Sequence, residues 1–291
     1  MKLSGPSLPS LPSLAWRGSA ALRRLRELSQ GAAVQSESIV LHSTVGYRLG
    51  ARIVRPASGT VCPGLVVSPA IHQGIAALTS TAAIVSASEI ARVGFVVLVH
   101  DPAGRGESWG EEDFGGAEHQ DNIRVAIRAV AARSDCTGRV GVLSLSLGVA
   151  AAAGALARWP ELPVDWLLDW EGPCDREIIT AGGTRLVPAA GHSLDDEAWW
   201  PPREAVAHAG ALQCGYARLQ AFPDHAQPEE LRHARRMLEA ARAGAAPWVQ
   251  LNDHPRGALP DRPHWLAGGP LAANRAILRK LSTLQAAPRG E

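Results

Sequence analysis

Four short apolar runs, separated by three helix-length stretches, constrain this chain more than any other feature. The run beginning at Gly64–Val67 (GLVVSPA), Gly94–His100 (GFVVLVH), Arg139–Leu145 (RVGVLSL) and Val164–Asp169 (VDWLLD) read as strands buried on both faces. Between them lie an alanine-rich helix over Thr79–Val93, a helix over Glu118–Arg133 and a third over Val149–Arg158. Glu118–Arg133 places Ile123, Ala126, Ile127 and Val130 at the i, i+3, i+4, i+7 spacing of one helix face. Alternation of this kind implies parallel strands joined by right-handed crossovers. Upstream, Ser36–Ser43 and Tyr47–Arg55 alternate with period two around Val45-Gly46, the pattern of a β-hairpin. Downstream, strands at Tyr216–Phe222 and Trp248–Leu251 alternate with helices at Glu229–Arg242 and Pro270–Gln285. The expected class is α/β, a mostly parallel twisted sheet with helices on both faces. Residues 31–291 form one domain on this reading. An irregular cap insertion is expected at about 175–205, where Gly182-Gly183, Pro188, Gly191 and Pro201-Pro202 break the rhythm.

Composition removes several alternatives. With 46% hydrophobic and 20% charged residues, the chain has enough apolar side chain to offset its conformational entropy, so it is not a disordered segment. A net charge of +1 supplies no basic field for nucleic acid, and none is expected as a partner. Cys62, Cys136, Cys174 and Cys214 form no C-x-x-C pair and read as buried thiols of a reducing, cytoplasmic setting. No run of about 18 apolar residues is present, so no stable membrane insertion is expected. Residues 1–30, rich in proline and serine, make a poor secretory signal and read as an arm or docking helix, with membrane-surface contact as an alternative. Neither H-E-x-x-H nor G-x-G-x-x-G occurs, so no metal and no cofactor are expected. The oligomeric state stays open.

The chemistry concentrates at LSLSLG, Leu143–Gly148, between a buried strand and an alanine-rich helix. A sharp strand-to-helix turn lifts one side chain into the open, and crowding makes the positions two before and two after it small. Here those positions are Ser144 and Gly148, on either side of Ser146. The helix N-terminus points free N–H groups at the same spot, and the N–H of Leu147 would face a developing oxyanion. A helix-capping serine is the plainer reading of Ser146.

In its strand–turn–helix setting this segment resembles the G-x-S-x-G elbow of the α/β-hydrolase superfamily, with Ser144 replacing the first glycine. VHDPAGRGESWG, Val99–Gly110, is similar to the D-x-R-G-x-G-x-S-x-G stretch of many members through Asp101, Gly104, Gly106, Ser108 and Gly110. SPAIHQG, Ser68–Gly74, stands where members carry the loop that donates a second oxyanion N–H, from Ala70, Ile71 or His72; Ile71 is taken as that donor, and His72 as a pocket residue or an ordinary loop histidine. The resemblance implies a serine hydrolase of the dienelactone-hydrolase-like or prolyl-peptidase-like kind, with the order serine, acid, histidine along the chain.

On that order the acid is expected at Asp224, in AFPDHAQP after a strand, with Asp169 or Glu171 in LLDWEGP as the rival site. The base is expected at His254, then His264, then His192; His225 adjoins Asp224, so its ring need not face Ser146. Five of the nine tryptophans fall between Trp159 and Trp200, and Trp170, Trp199 and Trp200 are candidates to line an apolar pocket. The expected function is hydrolysis of a small-molecule carboxylic ester, or an amide or thioester, through an acyl-enzyme on Ser146. A catalytically silent binding protein and an acyltransferase are the alternatives.

Overall fold

The structure, a computed structural model, describes residues 33–181, 191–225, 231–260 and 264–286, within a compact unit that begins at Ala33. The arm expected at residues 1–30 lies outside the described residues.

Ten strands are described: β1 (Val34–His42), β2 (Arg48–Pro56), β3 (Cys62–Ser68), β4 (Val96–His100), β5 (Cys136–Leu145), β6 (Val164–Trp170), β7 (Gly215–Leu219), β8 (Ala221–Phe222), β9 (Val249–Leu251) and β10 (Leu266–Ala267). Eight of them make one sheet in the order β1-β2-β4-β3-β5-β6-β7-β9. The hairpin β1–β2 is antiparallel and joins β4 antiparallel; from β4 to β9 every pairing is parallel. The helices are α1 (Ile75–Thr79), α2 (Ala87–Val93), α3 (Ala117–Ala131), α4 (Gly148–Arg158), α5 (Arg176–Ala181), α6 (Ala205–Ala209), α7 (Arg232–Ala243) and α8 (Pro270–Ala286).

Strand alternation sends neighbouring residues to opposite faces of the sheet. Leu98, Val142 and Leu167 pack with α3, α4, α6 and α7 on one side. Val97, Leu143 and Leu168 pack with α2 and α8 on the other. Both faces are therefore covered, which is why these strands read as unbroken apolar runs.

Two elements differ from expectation. The helix expected over Thr79–Val93 is helical only over Ala87–Val93, because α1 ends at Thr79 and Ser86 caps the next one: its hydroxyl accepts from Glu89 N while the Glu89 carboxylate accepts from Ser86 N. The strand expected over Tyr216–Phe222 stops at Leu219. There Gln220 N turns to Asn252 Oδ1, and Ala221–Phe222 pairs with β10 instead. The interruption matters, since it lifts the segment after β7 above the sheet edge. The cap expected at 175–205 holds α5, a short 3-10 turn at Pro201–Arg203 and the start of α6, with residues 182–190 outside the described set. Its base is latched by Arg176, which donates to Glu204, Glu197 and Leu194 O, and by the Arg203–Asp113 ion pair.

Leu143, fully buried on the strand that leads to the turn at Ser146, reports on this frame. Leu143→Ala is expected to cost about 2–5 kcal/mol, read as a lower urea midpoint at unchanged slope.

Candidate active site

Three neighbouring strands end in register. Leu145 on β5 pairs with Trp170 on β6, and Trp170 pairs with Leu219 on β7. The residue after Leu145 is Ser146 and the residue after Trp170 is Glu171. Ser146 N still donates to Trp170 O (2.9 Å) and Glu171 N to Leu219 O (3.1 Å), so both residues leave the sheet from its last rungs.

Both leave it with left-handed backbone, φ 49° at Ser146 and φ 48° at Glu171. Side chains rarely tolerate that region, and it costs about 1–3 kcal/mol per residue when imposed by the surroundings. A close approach of loops enforces the first of them. A Cβ on Gly148 would stand 2.4 Å from Ser68 O and 2.7 Å from Pro69 O, so only glycine lets the loop after β3 close over the turn. Ser144 is fully buried at the other small position, its hydroxyl 3.4 Å from Asp169 Oδ1.

The two turns meet at a histidine carried by the segment after β8. Ser146 Oγ lies 2.7 Å from His225 Nε2, and His225 Nδ1 lies 2.8 Å from Glu171 Oε2. Glu171 Oε1 also accepts from Ala221 N (3.0 Å), so the carboxylate is held at both oxygens. Its side chain is 5% exposed, whereas that of His225 is 46% exposed. A carboxylate at Nδ1 fixes the proton on that nitrogen and leaves Nε2 to accept from the serine. Burial opposes charge on the His225 ring, but the Glu171 hydrogen bond and the charges of Glu171 and Asp224 outweigh it, and the pKa is raised above its ordinary 6.5.

Comparison with known proteins agrees with this architecture. Residues 46–164 match a family model described as X-Pro dipeptidyl-peptidase (S15 family). That span includes Ser146 and ends before Glu171 and His225. No curated protein matches the chain in sequence. Among solved structures, the Pyrococcus furiosus esterase Pf2001 is 12% identical with a TM-score of 0.61, over 96% of each chain. Brefeldin A esterase, a bacterial homologue of human hormone-sensitive lipase, is 16% identical with a TM-score of 0.60, over 92% of this chain and 83% of that one. Prolyl oligopeptidase B from Galerina marginata is 15% identical with a TM-score of 0.57, over 86% of this chain and 37% of the other. The chain has the α/β-hydrolase fold.

The fold brings its polar groups together differently from the expected set. Asp224 does not reach His254. Its carboxylate accepts from Gln220 Nε2 (2.8 Å) and lies 2.7 Å from His233 Nε2, fully buried beneath the site. His254 and His264 occupy the loop after β9 and bond each other, with His264 N donating to His254 Nε2 (3.0 Å); the His264 side chain is 72% exposed. His192 pairs with Asp196 and stacks on Trp199. Of the rival acids, Asp169 is taken up by Arg218 and Tyr216, which leaves Glu171 at the histidine. His225, set aside because its neighbour Asp224 was expected to be the acid, is the histidine that faces Ser146. One signal for it was present: serine, acid, histidine order is kept by 146, 171, 225, so moving the acid one strand earlier moves the base with it.

The pocket candidates also divide. Trp170 packs into the apolar layer beneath α2 and α8, away from any open pocket. Trp200 is fully buried with its Nε1 donating to Ser193 O, so it supports the cap rather than lining a pocket. Half-buried Trp199 lies beside Phe114 and packs with Leu147, Ile179 and Ile71. His72 is exposed, in left-handed backbone. Ile71 and Leu147 line one small pocket, with room for about 10 Å³, together with His100 and Arg105. Arg105 grips that loop: its Nη1 donates to Ala70 O and Gln73 O while Nε and Nη2 hold Glu112. Burial, reinforced by His119 and Arg105, drives His100 down to about 3, so it stays neutral. Among the described residues no cluster of His, Cys, Asp and Glu has metal-binding geometry, and no helix is long and apolar enough to cross a membrane.

Two outcomes are expected from this geometry. The His225 ring should titrate above 6.5, and Glu171→Gln should lower that value, because the charge that favours the imidazolium is removed; ring-nitrogen NMR reads both. Gly148→Val should displace the Ser68–Pro69 loop and destabilise the fold by about 2–4 kcal/mol in urea titration, since the added carbons meet backbone oxygens.

Proposed function

We propose that the protein is a serine hydrolase that cleaves a carboxylic ester through an acyl-enzyme on Ser146. The observation that carries this reading is the unbroken relay Ser146 Oγ, His225 Nε2, His225 Nδ1, Glu171 Oε2, at 2.7 and 2.8 Å. A serine hydroxyl is a weak nucleophile on its own and becomes effective when a histidine takes its proton and a carboxylate orients that histidine.

In the first half-reaction Ser146 Oγ attacks the ester carbonyl carbon and its proton passes to His225 Nε2. Glu171 stabilises the imidazolium that forms. The oxyanion settles against the N–H of Leu147, at the first turn of α4, and the N–H of Ile71 on the loop that Arg105 holds. Collapse breaks the bond to the alcohol oxygen, which leaves with the proton from Nε2. Water then gives a proton to His225, attacks the acyl carbon and regenerates Ser146 with release of the acid. Phe114, Ile179 and Trp199 beside Leu147 and Ile71 favour an apolar substituent on the substrate.

A fluorophosphonate probe and a p-nitrophenyl ester test the reading. Wild type should be labelled and Ser146→Ala should not. His225→Ala and Glu171→Gln should lose on the order of 10⁴-fold in kcat. His254→Ala and His264→Ala should stay within about threefold of wild type, as expected for surface substitutions away from the relay. Labelling that survives Ser146→Ala, or activity that collapses in His254→Ala and persists in His225→Ala, would sink the assignment.

A further inference from the structure

Directly beneath the relay lies a second histidine that the reaction scheme does not use. His233, on α7, is completely buried. Its Nε2 is 2.7 Å from Asp224 Oδ2, and its Nδ1 is 3.2 Å from Gly172 O. Asp224 immediately precedes the base His225, and Gly172 immediately follows the acid Glu171. One ring therefore touches the neighbour of each partner in the acid–base pair. We propose that His233 is a positioning residue that clasps the acid-bearing turn to the base-bearing turn. The inference rests on the relay proposed above and extends it.

Three observations support the clasp. First, the turn at His225 needs an anchor. The His225 side chain is 46% exposed, and its ring is oriented by Glu171 alone on the Nδ1 side. Second, the only carboxylate next to it in sequence is turned away from solvent. Asp224 is fixed by Gln220 Nε2 (2.8 Å) as well as by His233, and Gln220 Oε1 in turn accepts from Arg218 Nε and Nη2. Third, the same Arg218 runs back to the acid's own strand, its Nη1 donating to Asp169 Oδ2 (2.6 Å), two residues before Glu171. His233 and Arg218 are thus parallel straps between the end of β6 and the segment after β7. His233 touches both Gly172 beside Glu171 and Asp224 beside His225, and Arg218 Nη2 lies 3.3 Å from its Nδ1. Buried polar groups cost free energy unless partnered, so a buried ring this close to Asp224 and Gly172 O holds the two turns in one relative position. A misplacement of about 1 Å between acid and base is enough to lose on the order of 10²-fold in rate.

The test uses the full-length protein with His233→Gln and His233→Phe, and with Asp224→Asn in case the Phe variant does not fold. Two readouts are taken. One is the titration and tautomer of His225 by ring-nitrogen NMR, which senses Ser146, Glu171, Asp224 and Arg218 around that ring and needs no turnover. The other is kcat on a p-nitrophenyl ester, normalised to fluorophosphonate-titrated sites so that misfolded molecules are not counted. In the variants the His225 titration should fall toward 6.5 and its Nδ1–H tautomer should lose dominance. The normalised kcat should fall about 10- to 100-fold with KM within twofold, and Gln should do less harm than Phe. A lower melting temperature with His225 titration and normalised kcat both unchanged would overturn the clasp and leave the hydrolase reading standing. Wild type that resists labelling at Ser146 while His225 still shifts in the variants would do the reverse.

Discussion

The register between three parallel strands is the constraint on which the site depends. Adjacent strands lie about 4.8 Å apart, so residues that step off aligned strand ends are already within a few ångströms of one another. Leu145, Trp170 and Leu219 are aligned in this way. Ser146 and Glu171 then need only the correct turn to aim at a common point, and both adopt left-handed backbone to do so. The strain is localised at the two residues that meet His225 and is balanced by the apolar layers on either side of the sheet. A register slip of one residue would reverse which face each strand end presents and separate the two groups.

Beneath that point the protein buries charge. Asp169 and Arg218 form a fully buried pair, joined by Tyr216 Oη at 2.7 Å, and Gln220 links them to Asp224 and His233. Desolvation of such groups commonly offsets their mutual attraction, so the network is a weak source of stability. Its value lies in direction. Together its members run from β6 through β7 to the segment after it, which is the gap between Glu171 and His225. The interruption of β7 at Gln220 belongs to the same arrangement: its backbone N–H turns to Asn252 Oδ1 while its side chain carries the hydrogen bond to Asp224.

Most of the fold was legible in the pattern of residues. Apolar runs such as GFVVLVH and the i, i+3, i+4, i+7 face of α3 report burial directly, and burial is what packs a sheet between two helical layers. The turn at Ser146 was legible for a local reason, since its small flanking residues are a consequence of backbone crowding within six positions. What escaped were boundaries and partners set by contacts distant in sequence. The split between α1 and α2 turns on a capping box whose serine lies inside an otherwise continuous helical pattern. The tryptophans could not be sorted by composition, because Trp170 and Trp200 differ from Trp199 only in what folds over them.

The proposed acid and base were the least legible, and the reason is instructive. An aspartate at a strand end followed by proline, and a histidine in a late loop, are chemically competent for a relay; nothing local to Asp224 distinguishes an acid that faces a catalytic histidine from one that faces a buried anchor. The distinction lies in its partners. Asp224 has Gln220 and His233 beside it and a side chain with no exposure, so its lone pairs are committed before His225 is considered. Glu171 has one oxygen on a backbone N–H and the other free to meet the ring. With the acid one strand nearer to Ser146, a base in the loop after β9 would have to reach across the segment that already carries His225. Moving the acid therefore forces the base to move, and the residue left behind at the later position becomes available as a support for the turn.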